Sequence, residues 1–218
     1  MNWTKKFLAG IAAAPFLLVA LAPTATAQEA PSTLEEGQSV TFAVVDAGEL
    51  PTDGRFDFEE LEDAGFAPED IEAAVTGEDG ASADDTAQQN PYEIVDSWND
   101  VDGDEVTMRA GRWSGGDTGF GEYKVEQKHN LGTDAVRAFT QSPDGLEKEH
   151  QSGTSYTYST TVLQVECSWW FFCEVVDTQP TTTVVNFRDA RGAPFGVVTS
   201  YCDGVQGHCP DWVRNIIA

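Results

Sequence analysis

Histidine is scarce in this chain: 218 residues hold three, His129, His150 and His208, and twelve lysines and arginines stand against 37 acidic residues. Acid–base chemistry near neutral pH is thereby confined to a few positions. Several catalytic signatures are missing altogether. Trp113-Ser114-Gly115-Gly116 lacks the flanks of a G-x-S-x-G nucleophile elbow. There is no H-E-x-x-H, no Walker loop and no dinucleotide fingerprint after a strand. Beyond the N-terminal segment no run is apolar enough to cross a bilayer, so no membrane span is expected in the mature chain.

The N-terminus has three parts. Lys5 and Lys6 give a positive start, Phe7 to Ala22 is apolar, and Ala25-Thr26-Ala27 offers small residues at a cleavage site. A retained anchor is the competing reading, but Pro15 splits a run already short for a membrane helix. No cysteine lies near the site, which argues against a lipoprotein. Residues 1–27 therefore read as a secretory signal, Gln28 as the first mature residue and the product as extracellular.

Charge is unevenly spread. Residues 28–106 carry 24 acidic side chains and one basic one, Arg55, whereas residues 107–218 carry 13 and nine. The reading is an acidic, partly disordered leader or linker over 28–106 and an α+β domain over 107–218. Within the leader Val40–Val45 reads as a short strand, Phe56–Val75 as two short helices, and Thr76–Asn90 has linker composition. Asp53-Gly54-Arg55-Phe56-Asp57 with Glu60, and Asp100-Val101-Asp102-Gly103-Asp104, are oxygen-rich, but neither completes a calcium loop. Solvated acidic loops are the simpler reading, and no metal is expected.

All four cysteines fall in the second half: Cys167, Cys173, Cys202 and Cys209. In an exported chain they read as two disulfides with three possible connectivities, the spacing favouring the local pairs. Zinc held by these thiols with His208 is the alternative, but C-x₂-C knuckles are lacking.

The second half reads as a helix over Glu122–Thr140, broken near Asn130-Leu131-Gly132. Four strands follow, at 156–165, 171–176, 181–187 and 195–201, with Asp189–Gly192 turning between the last two. The expected fold is thus α+β: an N-terminal helix packed on a four-stranded antiparallel meander, disulfide-stapled and preceded by a loosely ordered acidic leader. Trp169-Trp170-Phe171-Phe172 is either a partner- or membrane-touching knob or, in the simpler view, core rings alternating with a cover for the hairpin end.

Arg112 to Asn130, RWSGGDTGFGEYKVEQKHN, is the segment richest in chemistry. It sets Lys124, Lys128 and His129 close together. An imidazole can exchange protons while an ammonium holds a phosphate oxygen. An idle His at a surface helix end is the plainer reading of the same residues. Near the C-terminus, GAPFGVVTSY places Thr199 and Tyr201 at i and i+2, on one face of a strand, where both can bond a phosphate.

Together, GFG-x₂-K-x₃-KH and G-V-V-T-S-Y resemble the bacterial ribonuclease toxins of the barnase, EndoU and colicin D and E5 type. The chain is also similar to small secreted actinobacterial proteins of unassigned function, through the GFG…KH segment and a PFGVVTSYC…CPDWV ending. The first resemblance spans about 105 residues and implies a helix against a four-stranded sheet and cleavage of RNA by metal-independent transesterification. It makes His129 the general base or acid. Lys128, Lys124 and Arg112 would stabilise the phosphorane, and Thr199 and Tyr201 would orient the phosphate. No cofactor is implied, RNA is the expected partner, and the chain is expected to be a monomer. The alternative is a non-enzymatic secreted interaction module with a solubilising acidic leader, binding a protein through Trp169 and Trp170.

Overall fold

The computed structural model describes residues 39–46, 50, 55–64, 66, 90–168, 172–214 and 216–217. The proposed signal sequence, the Asp53-Gly54 pair, most of the linker and Trp169 to Phe171 lie outside the described residues.

The acidic half enters the fold through β1 (Ser39–Val45), a run of β-branched and aromatic residues suited to a pleated surface. β2 (Arg55–Phe56) and α1 (Phe58–Asp63) follow, the helix opened by a capping box between Asp57 and Glu60. β3 (Ile94–Asn99) and β4 (Glu105–Arg109) form a hairpin whose turn is the Asp100–Asp104 loop. The two-residue strands β5 (Arg112–Trp113) and β6 (Gly119–Phe120) pair and lead into α2 (Gly121–His129) and α3 (Thr133–Gln141). Then come β7 (Glu149–Ser152), β8 (Ser155–Ser168), β9 (Cys173–Asp189), β10 (Pro194–Cys202) and β11 (Ile216–Ile217).

The main sheet runs β10-β9-β8-β1-β11, with β2 on β9 and β7 on β8; among the described residues only the β1–β11 pairing is parallel. Side chains alternate across its strands into two cores. Phe42 and Val44 of β1 join Phe56, Leu61, Leu163 and Val165 on one side. Ala43 and Val45 join Trp98, Met108, Val125, Phe139 and Tyr158 on the other. Burying a side chain such as Phe42 or Val44 contributes roughly 1.5–3 kcal/mol. Buried Arg109 ties the outlying hairpins together, donating to the carbonyls of Tyr92, Ala190, Pro194 and Phe195 at 2.5–3.0 Å.

This architecture corrects the expected fold class. The protein is mostly β, with a large, mainly antiparallel sheet and two successive helices, rather than one N-terminal helix on a four-stranded meander. The leader is not merely a loose prelude, because β1 pairs with β8 from Ser39↔Ser168 to Val45↔Val162. The strands expected at 171–176 and 181–187 are one strand, β9. β10 ends at Cys202 opposite Thr181, so on that side Pro180 lies at an edge, accepting from the Asp203 N–H at 2.9 Å, and its missing N–H costs no ladder bond. The helical segment does break at Asn130, which takes the left-handed conformation (φ 58°) that ends α2.

The cysteines form two local disulfides, Cys167–Cys173 and Cys202–Cys209, so no thiolate remains for the alternative zinc site with His208. Two disulfides fit an oxidising environment. Among the described residues no helix is long and apolar enough to cross a membrane.

Candidate functional site

Helix α2 starts in a constricted knot. Gly121 takes a positive φ of 76°, and a Cβ there would collide with the carbonyl of Arg109. Only glycine tolerates both the conformation and the approach. The helix then turns an unusual face inward: Gly121, Lys124, Val125 and His129 are buried. Lys128 and His129 occupy the last turn, where positive charge is favoured by the helix dipole.

β10 meets this face. His129 Nε2 lies 3.4 Å from Thr199 Oγ1, and the His129 and Tyr201 rings are 5.8 Å apart. Ser200, between them, points the other way and bonds Thr183 at 2.8 Å. The second disulfide loop locks helix to strand. Cys202 ends β10, and its partner Cys209 donates its N–H to the His129 carbonyl at 2.8 Å. Asn130 donates to Asp211 at 2.9 Å and accepts from Arg214 at 3.1 Å, fastening the same corner.

Burial pushes the His129 imidazole down to about 4, with the Lys128 charge adding to it and a hydrogen bond with the Gly207 backbone opposing it. His129 is therefore neutral at pH 7. Burial, then the Lys128 charge, also lowers Lys124, whose ammonium has, among the described residues, only the carbonyls of Asp117 (3.1 Å) and Gly119 (3.4 Å) as hydrogen-bond acceptors. Lys128 is paired with the Asp117 carboxylate at 2.7 Å.

Of the residues expected from sequence, His129, Thr199 and Tyr201 come together, and Lys124 and Lys128 lie on the same helix within electrostatic reach of the imidazole. Arg112 lies on β5, exposed, and makes no side-chain bond or ion pair among the described residues. Sequence reasoning passed over Asp117, although it lies within the quoted segment. Its role depends on the turn that brings it to Lys128, for which a lone Asp beside glycines carries no signal.

The Asp100–Asp104 loop is organised around a lysine. Lys148 Nζ is 2.7 Å from Asp100, 3.2 Å from Asp102 and 2.5 Å from Asp104, and 5.0–5.4 Å from the Phe187 and Tyr156 ring centroids. Tyr158 donates to Asp100 at 2.5 Å. Burial alone would raise Asp100, but the hydrogen bonds from Lys148 and Tyr158 outweigh it and hold the carboxyl below its usual range. Lys148 is raised, its three carboxylate bonds overcoming burial. One ammonium thus offsets part of the negative charge of the loop. Among the described residues no group of His, Cys, Asp and Glu is arranged to hold a metal ion.

No protein-family profile, curated protein or solved structure matches the chain.

Proposed function

We propose that the protein is an exported ribonuclease that cleaves RNA by metal-independent transesterification at the seam between α2 and β10. The observation that carries this reading is the 3.4 Å approach of His129 Nε2 to Thr199 Oγ1, beside two lysines on the same helix. Imidazole, hydroxyl and ammonium groups converging on one seam are the parts that phosphodiester cleavage needs. Export rests on the N-terminal signal pattern, with which the disulfides agree.

In this mechanism neutral His129 takes the proton from a 2′-hydroxyl, and the freed oxygen attacks the adjacent phosphorus. Lys128 stabilises the charge on the phosphorane, while Thr199 and Tyr201 hold the phosphate oxygens. The bond to the 5′-oxygen breaks, leaving a 2′,3′-cyclic phosphate. Lys124, made more acidic by burial, gives the departing oxygen its proton. Arg112, exposed on the neighbouring strand, meets a flanking phosphate.

The test is cleavage of tRNA and total RNA by the mature protein in EDTA, with the new ends identified. Cyclic-phosphate ends that vanish in His129→Ala, at unchanged melting temperature, are expected. An inactive wild type, or a fully active variant, sinks the proposal.

The alternative, a non-enzymatic interaction module, has one observation in its favour. Phe172, beside the Cys167–Cys173 disulfide, is half exposed. It predicts partner capture that depends on Trp169 or Trp170, without RNA cleavage.

A further inference from the structure

The turn between β5 and β6, residues 114–118, supplies an anion to the site. Asp117 gives its carboxylate to Lys128 Nζ at 2.7 Å and its backbone carbonyl to Lys124 Nζ at 3.1 Å. Hydrogen bonding to Lys128, and then that ammonium's charge, holds the Asp117 carboxyl below its usual range; Lys124 and His129 add to the effect. One carboxylate therefore sits where the fields of all three cationic or protonatable groups meet.

Little holds that carboxylate except Lys128. The Asp117 side chain is fully exposed. Gly115 and Gly116 take positive φ, and a Cβ on either would meet open space. The bonds from Trp113 Nε1 to the Gly116 carbonyl (3.0 Å) and from Thr118 Oγ1 to that of Gly115 (3.4 Å) stay within the β5–β6 hairpin. Exposed ion pairs contribute little, so exchanging this carboxylate for another anion costs little. The Lys148 knot offers no such opening, because three carboxylates and two rings already surround its ammonium.

We infer that Asp117 is an internal substitute for phosphate, occupying the anion seat at Lys128 until a phosphoryl group of the substrate displaces it. The identity of that substrate as RNA rests on the ribonuclease reading; the seat itself rests on the geometry. A phosphate presents more acceptor oxygens than the single carboxylate contact it replaces, and charge-assisted bonds to lysine favour it. Asp117 then weakens the binding of every anion that reaches the site, setting a threshold for occupancy.

The experiment is a titration of inorganic phosphate into the mature protein, followed by NMR of the His129 imidazole and the lysine ε-methylenes. Wild type, Asp117→Asn and Asp117→Asn/Lys128→Met are compared. Removing one exposed competitor is expected to tighten phosphate about fivefold, and the second substitution is expected to cancel the gain. Equal affinity in wild type and Asp117→Asn, no saturable binding in the variant, or a gain that survives loss of Lys128 overturns the inference. An RNA-cleavage assay on the same proteins separates the two proposals. Tighter phosphate binding with no cleavage keeps the Asp117 seat and removes the ribonuclease. Cleavage with unchanged phosphate affinity does the reverse.

Discussion

Lys148 and Lys128 each meet an aspartate at 2.7 Å, yet their surroundings differ in both charge and exposure. The Lys148 side chain is 7 % exposed and compensated by three carboxylates, one of them fully buried and also bonded to Tyr158. At α2 the proportion is inverted: among the described residues the ammonium groups of Lys124 and Lys128, beside neutral His129, face the single carboxylate of Asp117. A lysine surrounded by its own counter-ions is a fastener, tying the β3–β4 turn to β8. A group of cations with one exposed counter-ion has capacity to spare for a ligand. The acidic character of the chain makes the second arrangement the more telling, since carboxylates are abundant and, among the described residues, the fold brings only one to these lysines.

Replacing His129 should separate the two clusters most sharply. His129→Ala is expected to reduce RNA cleavage by about 10²–10⁴-fold, the range typical of a lost general base or acid. Lys148→Met should leave the cleavage rate of the folded protein unchanged. Measuring initial rates on one RNA substrate for both variants checks this, and equal losses would erase the distinction.

Stability should respond in the opposite sense. Lys148→Met strands the buried Asp100 carboxylate and should cost about 3 kcal/mol, seen as a lowered denaturation midpoint. The equivalent loss at Lys128, whose partner is exposed, should be too small to resolve by the same measurement.

Acid titration should divide the clusters by pH window. The His129 pKa is depressed from its ordinary 6.5 to about 4, so between those values the unfolded chain binds the proton more readily. Its contribution is present above pH 6.5 and is lost as pH falls towards 4, by up to about 3 kcal/mol. Urea unfolding at stepped pH should show this slope in wild type and not in His129→Gln. The Asp100 contribution is present above the ordinary pKa of 3.8 and disappears only as pH falls further, through the depressed value.

A smaller effect is expected at the second disulfide. Cys202→Ser/Cys209→Ser opens a loop of separation seven and should cost about 2 kcal/mol. Because Cys209 caps the His129 carbonyl, RNA cleavage should fall as well. A double variant that loses stability but keeps full activity would show that the clasp does not position the imidazole.

Much of the second half was legible in the sequence. The alternating run 156–165 marked β8, 195–201 was read as the strand that is β10, Asp189–Gly192 marked the hairpin between β9 and β10, and Asn130-Leu131-Gly132 marked the helix break. The runs expected at 171–176 and 181–187 join as β9 through Pro180, because proline breaks a strand only where its N–H is needed, and that depends on which neighbour is present. β1 was read as a strand but assigned to a leader, since nothing local in Val40–Val45 names its partner. Val45 pairs with Val162, more than a hundred residues away.

The sequence by itself determined the charge asymmetry, the four cysteines gathered in the second half, and the chemical types gathered on α2 and β10. Those follow from composition and short-range spacing. Only the tertiary structure decided that β1 joins the large sheet, that Lys148 fills the acidic loop, and that Asp117 meets the α2 lysines. Each of these depends on contacts between residues far apart in the chain, or on the path of a glycine-rich turn. Local preference cannot encode such meetings, because they exist only once burial and hydrogen bonding have chosen among the surfaces available.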